Sequence, residues 1–111
     1  MNKKTEKRLR EAGWNIGDAA DFLELTAEEV AFIEMKLALS RSLRLEREKQ
    51  GITQVAFAKL VGSSQSRVAK MEAGDSSVTI DLLMRALLAL GLTKKDLSRI
   101  VAKADQIATS V

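Results

Sequence analysis

The apolar positions from Val30 onward fall into five runs, each opened by a Ser or Thr, and four of them closed by a Gly. Thr26-Ala27-Glu28-Glu29 has the form of a capping box. The Thr26 hydroxyl can accept the Glu29 backbone N–H while the Glu29 side chain reaches back. Val30, Ile33, Leu37 and Leu43 then recur at helical spacing to about Lys49, and Gly51 is the stop. A helix of this length is long for a small domain, and Ser40 marks where it would break if it did. Thr53 opens a helix over 54–61 with Val55, Phe57, Ala58, Leu60 and Val61 apolar, and Gly62 suits a left-handed turn position. Ser64 caps a helix to about Ala73, ended by Gly74, and 75–78 is a short polar loop. Thr79 opens TIDLLMRALLALG, which is apolar nearly all round and so central or shared with another surface. Thr93 to about Ala104 gives a last helix with the stripe Leu97, Ile100 and Val101.

The two ends carry weaker patterns. Residues 1–13 are polar and basic with no apolar stripe, and are expected to form a mobile arm. Trp14, Ile16, Phe22 and Leu23, with Gly13 and Gly17 between or beside them, suggest a short helical piece over 18–23 lying on the domain. Trp14 reads as a lid on the core, or alternatively as an anchor for a partner. The expected organisation is therefore all-α: a basic arm and short helical extension over 1–25, a five-helix domain over 26–104, and a frayed tail over 105–111.

Composition sharpens this. Hydrophobic residues make up 46% of the 111, there is no Pro, and aromatics are 4%, so a helical core is expected. No stretch reaches the roughly 18 apolar residues of a membrane span. The basic start has no apolar run behind it, so it does not read as a secretory signal, and the simplest expectation is a soluble cytoplasmic protein. Cys and His are both absent. The commonest nucleophile, general base and transition-metal ligands are thereby missing. The carboxylates sit singly among Lys and Arg, so nothing favours a carboxylate-dependent hydrolase. We expect no enzyme activity, no metal and no cofactor.

Net charge is +3 with a sequence pI near 9.4, which suits a nucleic-acid-binding module. The cations are clustered. Lys3, Lys4, Lys7, Arg8 and Arg10 face only Glu6, and Arg41, Arg44, Arg47 and Lys49 crowd the stretch before Thr53. The basic arm reads either as a solvated segment or as a non-specific phosphate or minor-groove contact.

The stretch TQVAFAKLVGSSQSRVAKMEAG (53–74) carries the function. With Gln54 as the first position, Phe57, Ala58, Val61, Val68 and Met71 fall at the buried positions of two helices crossing steeply over one core. Small Ala58 permits the close crossing. On the second helix Gln65, Ser66, Ala69 and Lys70 then share the outward face. Gln can bond an adenine edge bidentately, Lys can reach guanine O6/N7, and Ala can touch a thymine methyl. Gln54, Ser64 and the N–H groups at both helix starts can bond phosphates, with Ser76 and Ser77 adding contacts from the loop. Arg67 stands at the edge of the face, as a phosphate contact or a surface ion pair.

The spacing T-Q-x-x-x-A-K-x-x-G-x-S-Q-S-x-V-x-x-x-E-x-G resembles the phage-repressor-like (Xre-type) helix-turn-helix family, over about Leu43 to Leu90. The resemblance implies a five-helix DNA-binding regulator, a probable repressor in kind, and an ion pair between Arg47 and Glu72 tying the first helix to the recognition helix. It also implies that Gln54 bonds a phosphate beside that helix. L-T-A-E-E-V leading into R-E-K-Q-G-I-T-Q is similar to Xre-type antitoxins of the host-inhibition-of-growth kind, which implies autoregulation and a ribosome-dependent RNase toxin as partner. Double-stranded DNA is the expected ligand and a homodimer the expected state. The face Leu82, Ala86 and Leu90, with Leu97, Ile100 and Val101, reads as core or as a dimer seam.

Overall fold

The computed structural model describes residues 25–104, which form five α-helices: α1 (Ala27–Lys49), α2 (Gln54–Leu60), α3 (Gln65–Ala73), α4 (Ile80–Ala89) and α5 (Lys94–Ala102). The expected basic arm, the piece over 18–23, the Trp14 lid and the tail lie outside the described residues. Among the described residues, no helix is long and apolar enough to cross a membrane.

Every helix starts on the hydroxyl residue the sequence supplies. The side chains of Thr26, Thr53, Ser64, Thr79 and Thr93 accept from the backbone N–H of Glu29, Ala56, Arg67, Leu82 and Asp96 respectively. Each bond satisfies a donor that the helix itself cannot. Two of the starts are full capping boxes, Thr26 with Glu29 and Thr93 with Asp96. The second was legible in T-K-K-D but requires the shorter Asp to reach back, which it does at 2.8 Å.

α1 runs unbroken to Lys49, as its periodicity predicts, without the break at Ser40 that its length left open. Its C-terminal half explains why: Ala38, Leu39, Ser40 and Leu43 are all buried. Packing on α3, α4 and α5 therefore holds the helix straight across that point. The Ser40 hydroxyl is buried without a hydrogen-bond partner. Toward its start, α1 carries a separate small cluster in which Leu25, Val30 and Leu37 pack around Ile33.

The main core is built from Leu39 and Leu43 of α1, Phe57 and Ala58 of α2, Val68 and Met71 of α3, and Leu83 and Leu87 of α4, closed by Leu97 of α5. The expected core positions of the 53–74 stretch are thus met, with Val61 partly buried at the margin. The face read as core or as a dimer seam serves as core. Ala86, Leu90 and Leu97 are buried within this same core, and Leu82, Ile100 and Val101 pack against it. A five-helix domain this small needs those side chains for its own interior.

Candidate nucleic-acid interface

α2 and α3 are joined by Val61-Gly62-Ser63, and the turn has a physical cause. Gly62 has φ +66, in the left-handed region that a Cβ disfavours. This lets the Ser63 N–H reach back to the Ala58 carbonyl at 2.8 Å, while Ser64 turns to cap α3. The reversal sets α3 across α2, with Val68 and Met71 facing the core.

The opposite side of α3 is open. Gln65, Ser66, Arg67 and Lys70 are exposed, and Ala69 is half-buried between them. Within this set the angular order matters. Gln65, Ala69, Ser66 and Lys70 form one continuous arc, and Arg67 falls at its far edge beside Met71. There Arg67 lines a groove between the α2–α3 turn and α4. Among the described residues Arg67 forms no ion pair.

Behind the open face lies a hydrogen-bonded chain that links three helices. Arg47 of α1 grips Glu72 of α3 with both forks of its guanidinium, Nε to Oε2 at 2.5 Å and Nη2 to Oε1 at 3.0 Å. Its third nitrogen, Nη1, donates to the Ile52 carbonyl at 2.8 Å. The side chains are only 11% and 4% exposed. The Glu72 bond raises the Arg47 pKa above its ordinary value, opposed by the smaller effect of burial. Glu72 Oε1 also accepts from Gln54 Nε2 at 3.1 Å. Gln54 Oε1 in turn accepts from Gln65 Nε2 at 2.7 Å.

This last link was not foreseen. Gln54 was expected to present its amide outward, yet its amide nitrogen serves Glu72 and its carbonyl serves Gln65. The signal was available: Gln54 and Gln65 each follow a capping residue, so each occupies the first position of its helix. Helices crossing at their starts bring two such positions together. The chain fixes the orientation of Gln65, whose amide oxygen meets no donor among the described residues.

Ser64 uses its hydroxyl oxygen to accept from Arg67 N at 3.1 Å, which leaves the hydroxyl proton free to donate. Ser76 and Ser77 are exposed on the loop after α3. Ser77 is less available than expected, because both its N–H and its hydroxyl donate to Asp75 Oδ1, at 2.8 and 2.6 Å. That carboxylate works against a phosphate at the same place.

Comparison with known proteins adds an independent line. A family model described as helix-turn-helix matches residues 43–97. A protein of Haemophilus influenzae named "Uncharacterized HTH-type transcriptional regulator" is 29% identical over 82 residues, covering 74% of this chain and 81% of that protein. No solved structure gives a significant match.

Proposed function

Since the chain belongs, through residues 43–97, to the Xre-like helix-turn-helix family, we propose that it is a sequence-specific DNA-binding transcriptional regulator, a repressor acting as a homodimer. The observation that carries the reading is the open arc of Gln65, Ser66, Ala69 and Lys70, braced from behind by Gln54, Glu72 and Arg47. Base edges are read by side chains that hold still, and the bracing removes rotamer freedom from Gln65 before DNA arrives. No carboxylate stands on that arc. Glu72, the acid nearest in sequence, is neutralised by Arg47.

In this reading Gln65 and Lys70 bond base edges, and Ser66 and Ala69 set the close approach. Ser64, Arg67 and Ser76 serve phosphates. Gln54 acts first as a positioning residue for Gln65 and only secondarily as a phosphate ligand, and Ser77 serves only if Asp75 releases it. The cytoplasm is the matching compartment.

A second reading, as the antitoxin of an RNase toxin, is favoured by one feature. Phe32 is 52% exposed at a hollow of α1 shared with Glu28, Glu29 and Ile33. An acidic and apolar hollow suits a basic protein partner. Co-purification with a small basic RNase encoded next to this gene would support that reading, and its absence would leave a plain repressor.

The test of the main reading is fluorescence anisotropy on the DNA upstream of the protein's own gene, with scrambled competitor and a salt series. The expected result is a clear preference for the upstream site that weakens steeply with salt, as phosphate contacts demand. Equal binding to both DNAs would remove autoregulation. No binding to either would overturn the reading.

A further inference from the structure

Among the described residues, Leu60 is the most exposed of the large apolar side chains, at 62%. Nothing in the reading of DNA by α3 uses it. It stands at the rim of a groove of about 410 Å³ between the α2–α3 turn and α4. Buried Met71 and Ala86 make its floor apolar, and Val61, Leu82, Ala89, Arg67 and Arg85 also line it. No carboxylate lines it. α4 thus has more apolar surface than the core consumes, as a helix apolar nearly all round must.

Three occupants can be compared by charge and polarity. DNA phosphates would meet the arginines but not the apolar floor. A second copy docking by the same face would bring two pairs of guanidinium groups together with no lining acid between them. An amphipathic helix with carboxylates flanking an apolar stripe satisfies both features: the stripe takes the place of water over Leu60, Leu82 and Ala89, and the carboxylates meet the two arginines. Arg85 is held at 3.3 Å by Asp81, but both side chains are more than 70% exposed. Such a pair exchanges readily for another carboxylate. Arg67 has no ion pair with another described residue to give up.

We propose that this groove is a docking site for an acidic amphipathic helix of a partner protein, seated beside the recognition helix. The mode is helix-in-groove recognition, with apolar anchors at i, i+3, i+4 and i+7. Because Arg67 belongs to both the groove and the margin of the DNA-facing arc, the docked helix and DNA compete for one guanidinium. Occupancy of the groove therefore weakens operator binding.

The experiment uses the full chain and two arrays of synthetic 16-residue amphipathic peptides. Both share Leu, Ile or Phe at the anchor positions, one with Asp and Glu at the flanks and the other with Lys and Arg. The expected result is that members of the acidic array bind, the basic array does not, and Leu60→Ser and Arg85→Glu each weaken binding at least tenfold. Both positions are exposed, so both variants should keep the wild-type helical circular dichroism, and their operator affinity without peptide should be near that of wild type. A bound acidic peptide should lower operator affinity of the wild type. Absence of binding by the acidic array, equal binding of both arrays, or binding indifferent to the two substitutions would overturn the proposal. So would sedimentation in which Leu60→Ser converts a dimer to a monomer, since the occupant would then be a second copy. The peptide-binding and sedimentation outcomes do not depend on whether the upstream DNA is recognised, so they stand apart from the test of the proposed function.

Discussion

Gln65 reaches its place through three other side chains, and each can be removed separately. On the proposed reading, Gln65→Ala or Lys70→Ala relaxes base preference at one operator position and costs about 1–3 kcal/mol of binding where the contact is bidentate. Competition anisotropy against single-base operator variants checks this; unchanged discrimination in both mutants would remove them as readers. Arg47 and Glu72 act on stability instead. Losing either leaves a charge 11% or 4% exposed without its partner, so Arg47→Met or Glu72→Leu is expected to destabilise the fold by about 3–5 kcal/mol, whereas the double replacement should recover much of that loss. Urea midpoints of the three variants decide it. If the double mutant is no more stable than either single, the pair is not what holds α1 to α3. The ion pair was legible only by family resemblance, while its extension through Gln54 to Gln65 was not seen. Contacts between side chains on different helices depend on how the helices cross, which spacing along the chain does not specify.

At the scale of elements, the caps and turns were the most legible feature. Four capping residues, Thr26, Thr53, Ser64 and Thr79, were correctly placed from sequence, and Thr93 was placed as a helix start, because a cap is a local bond, made within three residues. The two capping boxes give a pH dependence. Thr93 lowers the Asp96 pKa, first through its backbone N–H and then through its side chain, and Thr26 does the same for Glu29. A lowered folded pKa means that the native state binds fewer protons than the unfolded chain. The contribution is therefore complete above the unfolded value, near 4, and is lost as pH falls through the folded values. Asp96→Asn and Glu29→Gln should each flatten the decline of the urea midpoint between about pH 5 and pH 3. An unchanged decline in the double variant would mean that other carboxylates govern it. Gly62 gives a second test. A Cβ there meets nothing within 4 Å, so only the positive φ opposes it. Gly62→Val should cost about 1–2 kcal/mol or more and Gly62→Asn distinctly less, since Asn tolerates the left-handed region. Equal thermal shifts for the two would point to a cause other than backbone conformation.

At the scale of the molecule, the reading requires two copies on one face of DNA. A homodimer reads half-sites about 34 Å, one helical turn, apart. Inserting about 5 bp or about 10 bp between the half-sites should each abolish dimeric binding, because the two recognition helices stand a fixed distance apart. Sedimentation of the protein–DNA complex would count the copies, and a single copy per operator would end the dimer model. The face of α4 and α5 read as core or as a dimer seam serves the protomer's own core.

The sequence by itself determined the helical class, the five starts, the turn at Gly62 and the inward set Phe57, Ala58, Val68 and Met71. These follow from bonds and periodicities a few residues long, and the physics that makes them is local. Tertiary structure alone decided the rest. It decided that α1 passes unbroken through Ser40, that Gln54 holds Gln65, and that Arg67 lines the groove at which Leu60 stands. It also decided that the apolar face of α4 and α5 is mostly consumed within one protomer. Each depends on the angles at which helices cross and on which of several apolar faces the core covers first. Those are properties of the packed whole, set by the competition for burial among all five helices at once.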